Sequence, residues 1–309
     1  MLISFIIPTF NRDKYILRAI ESIISQKEIF SHKFEIIVIN DGSTDNTLNL
    51  IGQSPYKTWI KLISLDKNSG LGMARNLGIA SARGKWCALL DSDNALLPNC
   101  GDKLEKILLK LDDSIGVLWG GCIDSDGIAT IQHQSFGKLP GVEVLINPPK
   151  GEHFSLIRTD IALNNPYPSL GTKHACEPGF WATISSKTSF YITSEIFQFY
   201  EKNSNDRFCS IENRISGAGD LAKCYAYTAS VVKNLDSKCY WILMGKSVFY
   251  DSVDGNWFNS IKNSLQLFPS FIYYSRFNIL IFISVIFGPF SSRMLLKISQ
   301  MSINAKFKH

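Results

Sequence analysis

Residues 85–98 read KWCALLDSDNALLP, and this short stretch decides the fold. Its apolar beginning predicts a strand that is buried on both faces, as the strands of a parallel sheet are. The strand ends abruptly at Asp91 and Asp93, which flank Ser92. Because a carboxylate is costly to bury without a compensating charge or hydrogen bond, the two acids predict a binding site at the end of this strand.

The sequence before this stretch alternates strand patterns with helix patterns. Short apolar runs predict strands at residues 2–8, 34–40 and 59–65. Amphipathic runs predict helices at residues 11–26, from residue 47 onward, and at residues 70–82. Asn11 is the predicted N-cap of the first of these helices. Alternating strands and helices are typical of an α/β fold built on a parallel sheet.

The pattern is less regular after residue 98. A helix is predicted at residues 103–111 and a strand at residues 115–123. Residues 127–187 are rich in Pro, Gly and Asn and predict long loops of the kind that hold an acceptor. Nearer the C-terminus, helices are predicted at residues 194–202 and 220–230, and a strand at residues 240–250.

The composition indicates a folded globular protein. The chain has 309 residues, of which 45% are hydrophobic and 19% charged. Its net charge of +5 includes no block of like charges, so we expect no nucleic-acid partner. Seven scattered cysteines without a C-x-x-C pair predict neither a zinc site nor a disulfide framework, and they favour a reducing cytoplasm.

The most apolar segment lies near the C-terminus. Its uninterrupted part, residues 277–287, is shorter than the ~20 residues that cross a bilayer. Two interpretations remain open: a buried helix, or an amphipathic anchor that lies in the plane of the membrane. Arg276, Arg293 and Lys297 flank the segment and favour the second, which would place a cytoplasmic protein in peripheral contact with the inner membrane.

Polar residues follow three of the predicted strands. Thr9 and Asn11 follow the first strand, Asp41 follows the second, and Asp91 and Asp93 follow the fourth. Ligands of parallel sheets bind outside the carboxyl ends of the strands. We therefore expect these residues to meet at one edge of the sheet.

The spacing of Asp91 and Asp93 favours a divalent cation. In an extended segment, residues two apart project to the same side, so both carboxylates would face one ligand. Hard oxygen ligands suit Mg2+ or Mn2+, which bind through one or two carboxylates plus substrate phosphates. The alternative is that Asp91 caps the next helix while Asp93 is solvated.

Residues 124–127, DSDG, repeat the spacing of the two acids but predict a hairpin turn.

An ionised Asp41 can only accept hydrogen bonds. The ring N–H of uracil, thymine or guanine is a suitable donor, whereas the ring nitrogen of cytosine would be repelled. The alternative is an Asp-Gly turn in which Ser43 or Thr44 caps the next helix. Arg75, in the predicted helix at residues 70–82, can pair with phosphate or with one of the acids.

Three segments together resemble a known family. SFIIPTFNR, IIVINDGSTDNT and NSGLGMARNLGIASARGKWCALLDSDNALLP are similar, in order and spacing, to the family 2 inverting glycosyltransferases with the GT-A fold. The resemblance covers about residues 3–98. It implies an α/β fold, Rossmann-like, with a mixed, mostly parallel sheet between helices, to which we add a C-terminal helical extension.

The resemblance also implies roles for individual residues. Pro8, Thr9 and Phe10 frame the nucleoside pocket, and the sequence pattern adds Asn11 and Arg75 as donor-binding candidates. Asp41 meets the base, Asp91 lies by the ribose or the metal, and Asp93 binds the divalent cation.

The family's catalytic base is matched in the second half of the chain. The best match is Asp220 in GAGDLAKCYAYT, and the rival is Glu177 in HACEPGFW. Asp251 and Asp254 stand where relatives place a late metal-binding residue.

The predicted activity is transfer of a hexosyl-type sugar with inversion at its anomeric carbon. The donor is a UDP, dTDP or GDP sugar, and the acceptor is a hydroxyl of a glycan or lipid-linked molecule in bacterial surface polysaccharide synthesis. Two alternatives stay open: a non-catalytic nucleotide-sugar-binding protein and a nucleotidyltransferase. We expect a donor-binding half at residues 1–125, an acceptor-binding and catalytic half at residues 126–255, and an apolar, basic helical segment at residues 256–309.

Overall fold

A computed structural model of the chain describes residues 1–30, 32–130, 135–172, 175–202, 211–256, 260 and 292–293. Its contacts form two compact units. The first comprises Met1–Ser169 with Thr183–Ser204, and the second comprises Leu170–Ala182 with Asn205–His309. The predicted division at residues 125 and 255 concerns function and stays a prediction. The apolar segment at residues 277–287 lies outside the described residues.

One sheet forms the centre of the first unit. In the described part of the chain its strands are β1 (Ile3–Thr9), β2 (Phe34–Asn40), β3 (Ile60–Ser64), β4 (Trp86–Leu89), β5 (Ala95–Leu96), β6 (Ile115–Asp124), β7 (Gly137–Leu139), β8 (His153–Arg158) and β9 (Ser189–Tyr200). Their order is β3-β2-β1-β4-β8-β6-β9-β5, and β7 pairs with β9.

The first four strands of this order run parallel. β1 pairs in parallel with β2 and β4, and β2 pairs in parallel with β3. The carboxyl ends of β1, β2 and β4 therefore lie at one edge, with β1 in the middle. β8 is antiparallel to both β4 and β6, so the sheet becomes mixed beyond β4. The predicted α/β fold with a mixed sheet is confirmed.

Helices connect the strands and continue into the second unit. Within the described ranges they are α1 (Ile16–Ile24), α2 (Thr47–Gln53), α3 (Leu71–Ala80), α4 (Gly101–Lys110), α5 (Gly141–Ile146), α6 (Thr159–Asn164), α7 (Glu177–Ser185), α8 (Ile211–Ser216), α9 (Ala218–Val232) and α10 (Ser237–Asp254). The last three belong to the second unit. None of the described helices is long and apolar enough to cross a membrane.

The core of the first unit follows from the sequence pattern. All seven residues of β1 are buried, as an interior strand requires. α1 buries its apolar stripe at helical spacing, namely Ile16, Ala19, Ile20, Ile23 and Ile24. These side chains share one apolar cluster with β1, β2 and β4. This core leaves the carboxyl ends of the parallel strands to carry the polar residues.

Several expectations for the second half of the chain are wrong. Residues 194–202, predicted as a helix, lie almost entirely in β9, which is paired with β5, β6 and β7. Residues 240–250, predicted as a strand, lie in α10. The predicted long loops at 127–187 contain two strands and three helices among their described residues. Short runs of mixed apolar and aromatic residues fit both the helical and the strand periodicity. The segments that pack against such a run decide which of the two it adopts.

In the second unit, α9 and α10 pack against each other. Ala218 and Ala222 of α9 cluster with Tyr250 and Val253 of α10. The Tyr225 ring stacks on the Tyr250 ring with centroids 5.7 Å apart. This aromatic contact adds to the apolar packing between the two helices.

Candidate active site

Asp41 joins the end of β2 to the start of α3. Its Oδ1 accepts the Ser69 backbone N–H at 2.7 Å, and its Oδ2 accepts the Gly70 N–H at 2.9 Å. The residue is only 4% exposed. The two bonds satisfy backbone donors at a helix N-terminus, where a negative charge is also favoured.

The Asp41 turn lies close to the loop before α3, and Gly42 makes this possible. Gly42 has a φ of +72°, and a Cβ on it would lie 2.6 Å from the Lys67 carbonyl carbon. Any other residue would meet this backbone. The loops after β2 and β3 are thus locked together at the predicted ligand edge.

The loop after β1 is anchored to the loop after β2. The Oδ1 of Asn11 accepts the Thr44 N–H at 2.8 Å, and the Asn11 N–H donates to the Ser43 Oγ at 3.0 Å. The prediction that Asn11 caps α1 is wrong. α1 begins at Ile16, and the side-chain oxygen of Asn11 accepts its hydrogen bond from the loop after β2. Ser43 and Thr44 do not cap α2 either, since the Asp45 Oδ1 accepts the Thr47 N–H at 3.0 Å.

The other predicted donor-site residues of β1 lie at its carboxyl end. Pro8 is buried and pairs with Ile39 of β2, and Phe10 is 38% exposed just beyond the strand. Thr9 is 2% exposed, and its hydroxyl has no hydrogen-bond partner among the described residues. A buried hydroxyl without a partner is unusual, and it leaves a polar atom available at this edge.

The segment that carries Asp91 and Asp93 is a turn. The Asn94 N–H donates to the Asp91 carbonyl at 3.0 Å, which closes a four-residue turn around Ser92 and Asp93. The segment is therefore not extended, and the expectation that residues two apart project to the same side does not apply to it. The alternative in which Asp91 caps the next helix also fails, since α4 begins only at Gly101.

Asp91 forms an ion pair with Arg75 of α3. Arg75 Nη2 lies 2.8 Å from the Asp91 Oδ1, and the two side chains are 6% and 48% exposed. The Arg75 guanidinium also lies over the Tyr167 ring, 5.4 Å from its centroid, and Nη1 donates to the Tyr167 hydroxyl at 3.3 Å. Of the two partners predicted for Arg75, phosphate or acid, the structure thus shows an acid.

The turn after β4 offers carboxylate oxygens, the kind of ligand that a divalent cation prefers. Among the described residues, no three His, Cys, Asp or Glu side chains cluster so that they could hold a metal on their own. Asp91 is half exposed and Asp93 half-buried in the same turn. Mg2+ and Mn2+ are commonly held by one or two carboxylates together with phosphate oxygens, and this donor set matches that pattern.

The similar sequence at residues 124–127 is the predicted turn. The Asp124 Oδ1 accepts the Asp126 and Ile128 N–H groups, and Lys202 pairs with both acids. Although burial raises the pKa of Asp124, hydrogen bonds from these backbone N–H groups and Lys202 lower it overall. A single ammonium group, that of Lys202, thus pairs with both carboxylates of this turn.

The second unit contains both candidates for the catalytic base. Asp220 lies in the first turn of α9 and lines a cleft of about 560 Å³. The other lining residues are Gly171, Ser216, Gly217, Gly219, Lys223 and Asp254. A Cβ on Gly219 would lie 2.7 Å from the Asp254 Oδ2, so this glycine lets the end of α10 approach α9. Glu177 is the first residue of α7 and is half-buried.

Three residues around the edge are missing from the sequence prediction. Tyr167 braces Arg75, and Arg18 and Glu201 bind each other beside the turn that contains Asp93. Tyr167 lies in a Pro-rich segment, Arg18 in a helix pattern and Glu201 in a segment predicted as helix. No local signal connects them with the acids, because their contacts are separated by long stretches of sequence.

Comparison with solved structures shows which fold this is. TarS 1–349 of Staphylococcus aureus in complex with UDP matches with a TM-score of 0.66 and 17% identity, over 98% of this chain and 92% of that chain. The mannosyltransferase PcManGT of Pyrobaculum calidifontis, in complex with GDP-Man and Mn2+, matches with a TM-score of 0.52 and 13% identity, over 97% and 86% of the two chains. The fold is the GT-A fold of glycosyltransferases, as predicted.

The family follows from the sequence. The model of glycosyl transferase family 2 matches residues 4–163, just over half of the chain, so the chain belongs to this family. The succinoglycan biosynthesis protein ExoO of Rhizobium meliloti is 38% identical over 36% of this chain and 30% of its own length. The poly(ribitol-phosphate) beta-N-acetylglucosaminyltransferase TarS of S. aureus is 36% identical over 30% of this chain and 16% of its own length. The chain thus spans less than a third of the length of these two curated relatives.

Proposed function

We propose that this glycosyltransferase moves a sugar from a UDP, dTDP or GDP donor to a hydroxyl acceptor, with inversion at the anomeric carbon. The observation that carries the proposal is the placement of Asp41 and Asp91 at the carboxyl ends of β2 and β4, on either side of β1. α3 bonds to both, through Gly70 and Arg75. A nucleoside diphosphate sugar of this kind has a base with a ring N–H and a diphosphate. At this edge, Asp41 can accept the N–H, and the turn after β4 can hold a cation that binds the diphosphate.

We assign base recognition to Asp41. Each of its oxygens already accepts one backbone N–H, and an ionised carboxylate has about four acceptor positions in all. A ring N–H of uracil, thymine or guanine can use one of the remaining positions. The structural neighbours that contain UDP or GDP-Man support this range of donors. Phe10, exposed at the end of β1, offers an aromatic face beside the base.

We assign the diphosphate and its Mn2+ or Mg2+ to the turn after β4. Asp93 and Asp91 would hold the cation, and Arg75 keeps Asp91 in place through their ion pair. When bound, such a cation neutralises the charge that develops on the departing diphosphate. The mannosyltransferase neighbour that contains Mn2+ supports the use of a divalent metal.

We assign proton removal to Asp220, with Glu177 as the rival. The base takes the proton of the acceptor hydroxyl while the oxygen forms its bond to the anomeric carbon. The bond from that carbon to the diphosphate oxygen breaks, and the nucleoside diphosphate leaves with the electron pair. Because the attack comes from the face opposite the leaving group, one displacement inverts the configuration. The cleft around Asp220 supports the first assignment.

We propose a glycan or lipid-linked acceptor in bacterial surface polysaccharide synthesis. The relatives named for succinoglycan biosynthesis and for poly(ribitol-phosphate) glycosylation support this class. Peripheral contact with the cytoplasmic face of the inner membrane, through residues 277–287, stays a prediction from the sequence. Family membership favours sugar transfer over nucleotidyl transfer.

Thermal shift with a panel of nucleotides tests donor recognition. We expect UDP, dTDP or GDP, with Mn2+, to raise the melting temperature, because a ligand at 100 times its Kd stabilises the native state by about 2.7 kcal/mol. CDP is the control and should have no effect. If CDP stabilises the protein as well as UDP, dTDP and GDP do, the role of Asp41 in base recognition is refuted.

Variants of the two candidate bases test the transfer step. We expect Asp220→Asn to keep the nucleotide-induced shift and to lose transfer to the acceptor by about 100-fold or more. Glu177→Gln should keep most of the activity. The reverse result would move the catalytic role to Glu177, and full activity in both variants would refute both assignments.

A further inference from the structure

A polar stripe on α1 and the turn after it binds main-chain atoms of Asp93 and of the residues that follow it. Its members, Arg18, Ser22 and Gln26, are spaced four residues apart and so lie on one side of the helix. Each hydrogen-bonds main-chain atoms: Arg18 Nη2 donates to the Asp93 carbonyl at 2.6 Å, Ser22 Oγ accepts the Leu96 N–H at 2.9 Å, and Gln26 Nε2 donates to the Leu97 carbonyl at 3.1 Å. α1 thus aligns this segment along its length.

Arg18 is itself held from a second direction. Both of its terminal nitrogens lie 3.2 Å from the Glu201 Oε2, and its guanidinium lies 5.1 Å from the centroid of the Phe199 ring. The Arg18 side chain is 40% exposed and the Glu201 side chain 13%. A guanidinium with a carboxylate, a carbonyl and an aromatic face around it has little freedom to rotate.

Residues 199–201 also hold the C-terminal end of the turn. The Asn94 Oδ1 accepts the Glu201 N–H at 3.1 Å, and Asn94 is 3% exposed. Immediately afterwards, Ala95 of β5 pairs with Phe199 of β9. The backbone around Asp93 is therefore held by Arg18 at Asp93 and by Glu201 and β9 at the two residues that follow. Of these contacts, the Arg18 bond is the one made to the main chain of Asp93 itself.

We propose that Arg18 is a positioning residue for Asp93. Its hydrogen bond to the Asp93 carbonyl determines where the backbone that carries the Asp93 carboxylate lies. The inference rests on the proposed function, in which this carboxylate binds the divalent cation. Groups that orient a metal ligand typically change metal affinity or activity by about 10–100-fold when they are removed. Arg18 acts through Asp93 and not on the donor.

Binding of Mn2+ in the presence of UDP, followed by electron paramagnetic resonance, tests the inference without relying on activity. The variants are Arg18→Gln and Arg18→Lys. Arg158→Gln is the matched control. Like Arg18, Arg158 binds a carboxylate and a main-chain carbonyl, those of Asp113, and it also binds the Asp160 carboxylate, but it pairs with Trp86 at the opposite end of β4.

We expect Arg18→Gln to raise the Kd for Mn2+ by about 10–100-fold. Its melting temperature should stay near that of Arg158→Gln. Arg18→Lys should recover part of the affinity, since an ammonium can still donate to the Asp93 carbonyl. A Kd in Arg18→Gln within twofold of that of Arg158→Gln would overturn the inference. If Arg18→Gln does not fold, Glu201→Gln replaces it, with the same direction expected and the same criterion.

Asp93→Asn separates the two proposals. If it binds Mn2+ as tightly as the unaltered protein, the metal-binding role of Asp93 fails, and the inference about Arg18 fails with it. If Asp93→Asn loses Mn2+ while Arg18→Gln keeps it, the inference fails alone and the proposed function stands.

Discussion

Nη2 of Arg75 lies 2.8 Å from Oδ1 of Asp91. The Arg75 guanidinium is buried, whereas the Asp91 carboxylate is half exposed. Arg75 belongs to α3, whose start is bonded to Asp41 through the Gly70 N–H. One short helix therefore links the acid that follows β2 with the acid that follows β4. This relationship makes the two ends of the proposed donor site parts of one rigid arrangement, and it leads to the first prediction.

Loss of Asp91 should destabilise the protein through Arg75. In Asp91→Ala the Arg75 charge stays buried without its carboxylate, and we expect a loss of about 1–3 kcal/mol in the free energy of unfolding, less than for a fully buried pair because Asp91 is half exposed. In a background with Arg75→Met, the same substitution should cost under ~1 kcal/mol. Urea unfolding of the unaltered protein, Asp91→Ala, Arg75→Met and the double variant measures the coupling energy between the two side chains. Equal costs in both backgrounds would contradict the prediction, and Asp66→Ala, an exposed acid in the neighbouring loop, is the control.

Gly42→Ala should be more destabilising than Gly127→Ala. Both glycines have positive φ, of +72° and +77°, so each substitution carries the ~1 kcal/mol cost of a left-handed alanine. A Cβ on Gly127 meets nothing within 4 Å, whereas a Cβ on Gly42 meets the backbone of Lys67. We expect a further ~1–3 kcal/mol for Gly42→Ala from this clash. Chemical denaturation measures the difference, and equal effects would show that the loops move apart without cost.

Asp45 should stabilise the protein at neutral pH and less so in acid. Burial raises the pKa of Asp45, but hydrogen bonds from Thr47 and Asp13 lower it overall below 3.8. The charged form is therefore favoured in the native state, and its stabilisation is present above the unfolded pKa and lost as the pH falls through the folded pKa. The difference in unfolding free energy between the unaltered protein and Asp45→Asn should be largest near pH 6 and shrink towards pH 3. A difference that grows on acidification would refute this.

Gly219→Ala should impair acceptor use without lowering stability. The substitution is in α9, where alanine gains up to about 1 kcal/mol over glycine, and the atoms nearest to its Cβ would be those of the Asp254 carboxylate at the end of a side chain. We expect an unchanged or raised melting temperature and a raised KM for the acceptor, since Asp254 must move within the cleft that contains Asp220. Gly52→Ala in α2, with nothing within 4 Å, is the control for helix propensity alone. An unchanged KM would show that the position of Asp254 is irrelevant to the acceptor.

The sequence determined the parallel half of the sheet and the edge at which the acids lie. β1 and β2 are predominantly apolar runs, and α1 has a clear stripe at helical spacing, so each element follows from its own residues. The right-handed alternation of strand and helix then places Asp41 and Asp91 at one edge, whatever the side-chain details. Local periodicity is a property of neighbouring residues, and it can be read without knowing the rest of the chain.

Only the tertiary structure decided the other features. β9 is a strand because β5, β6 and β7 pair with it, although residues 194–202 alone fit a helix. The segment at Asp91 closes into a turn, and Arg18 reaches the Asp93 carbonyl across 75 positions of sequence. Hydrogen bonds between distant segments form only once the core has brought those segments together, and for this reason no local pattern contains them.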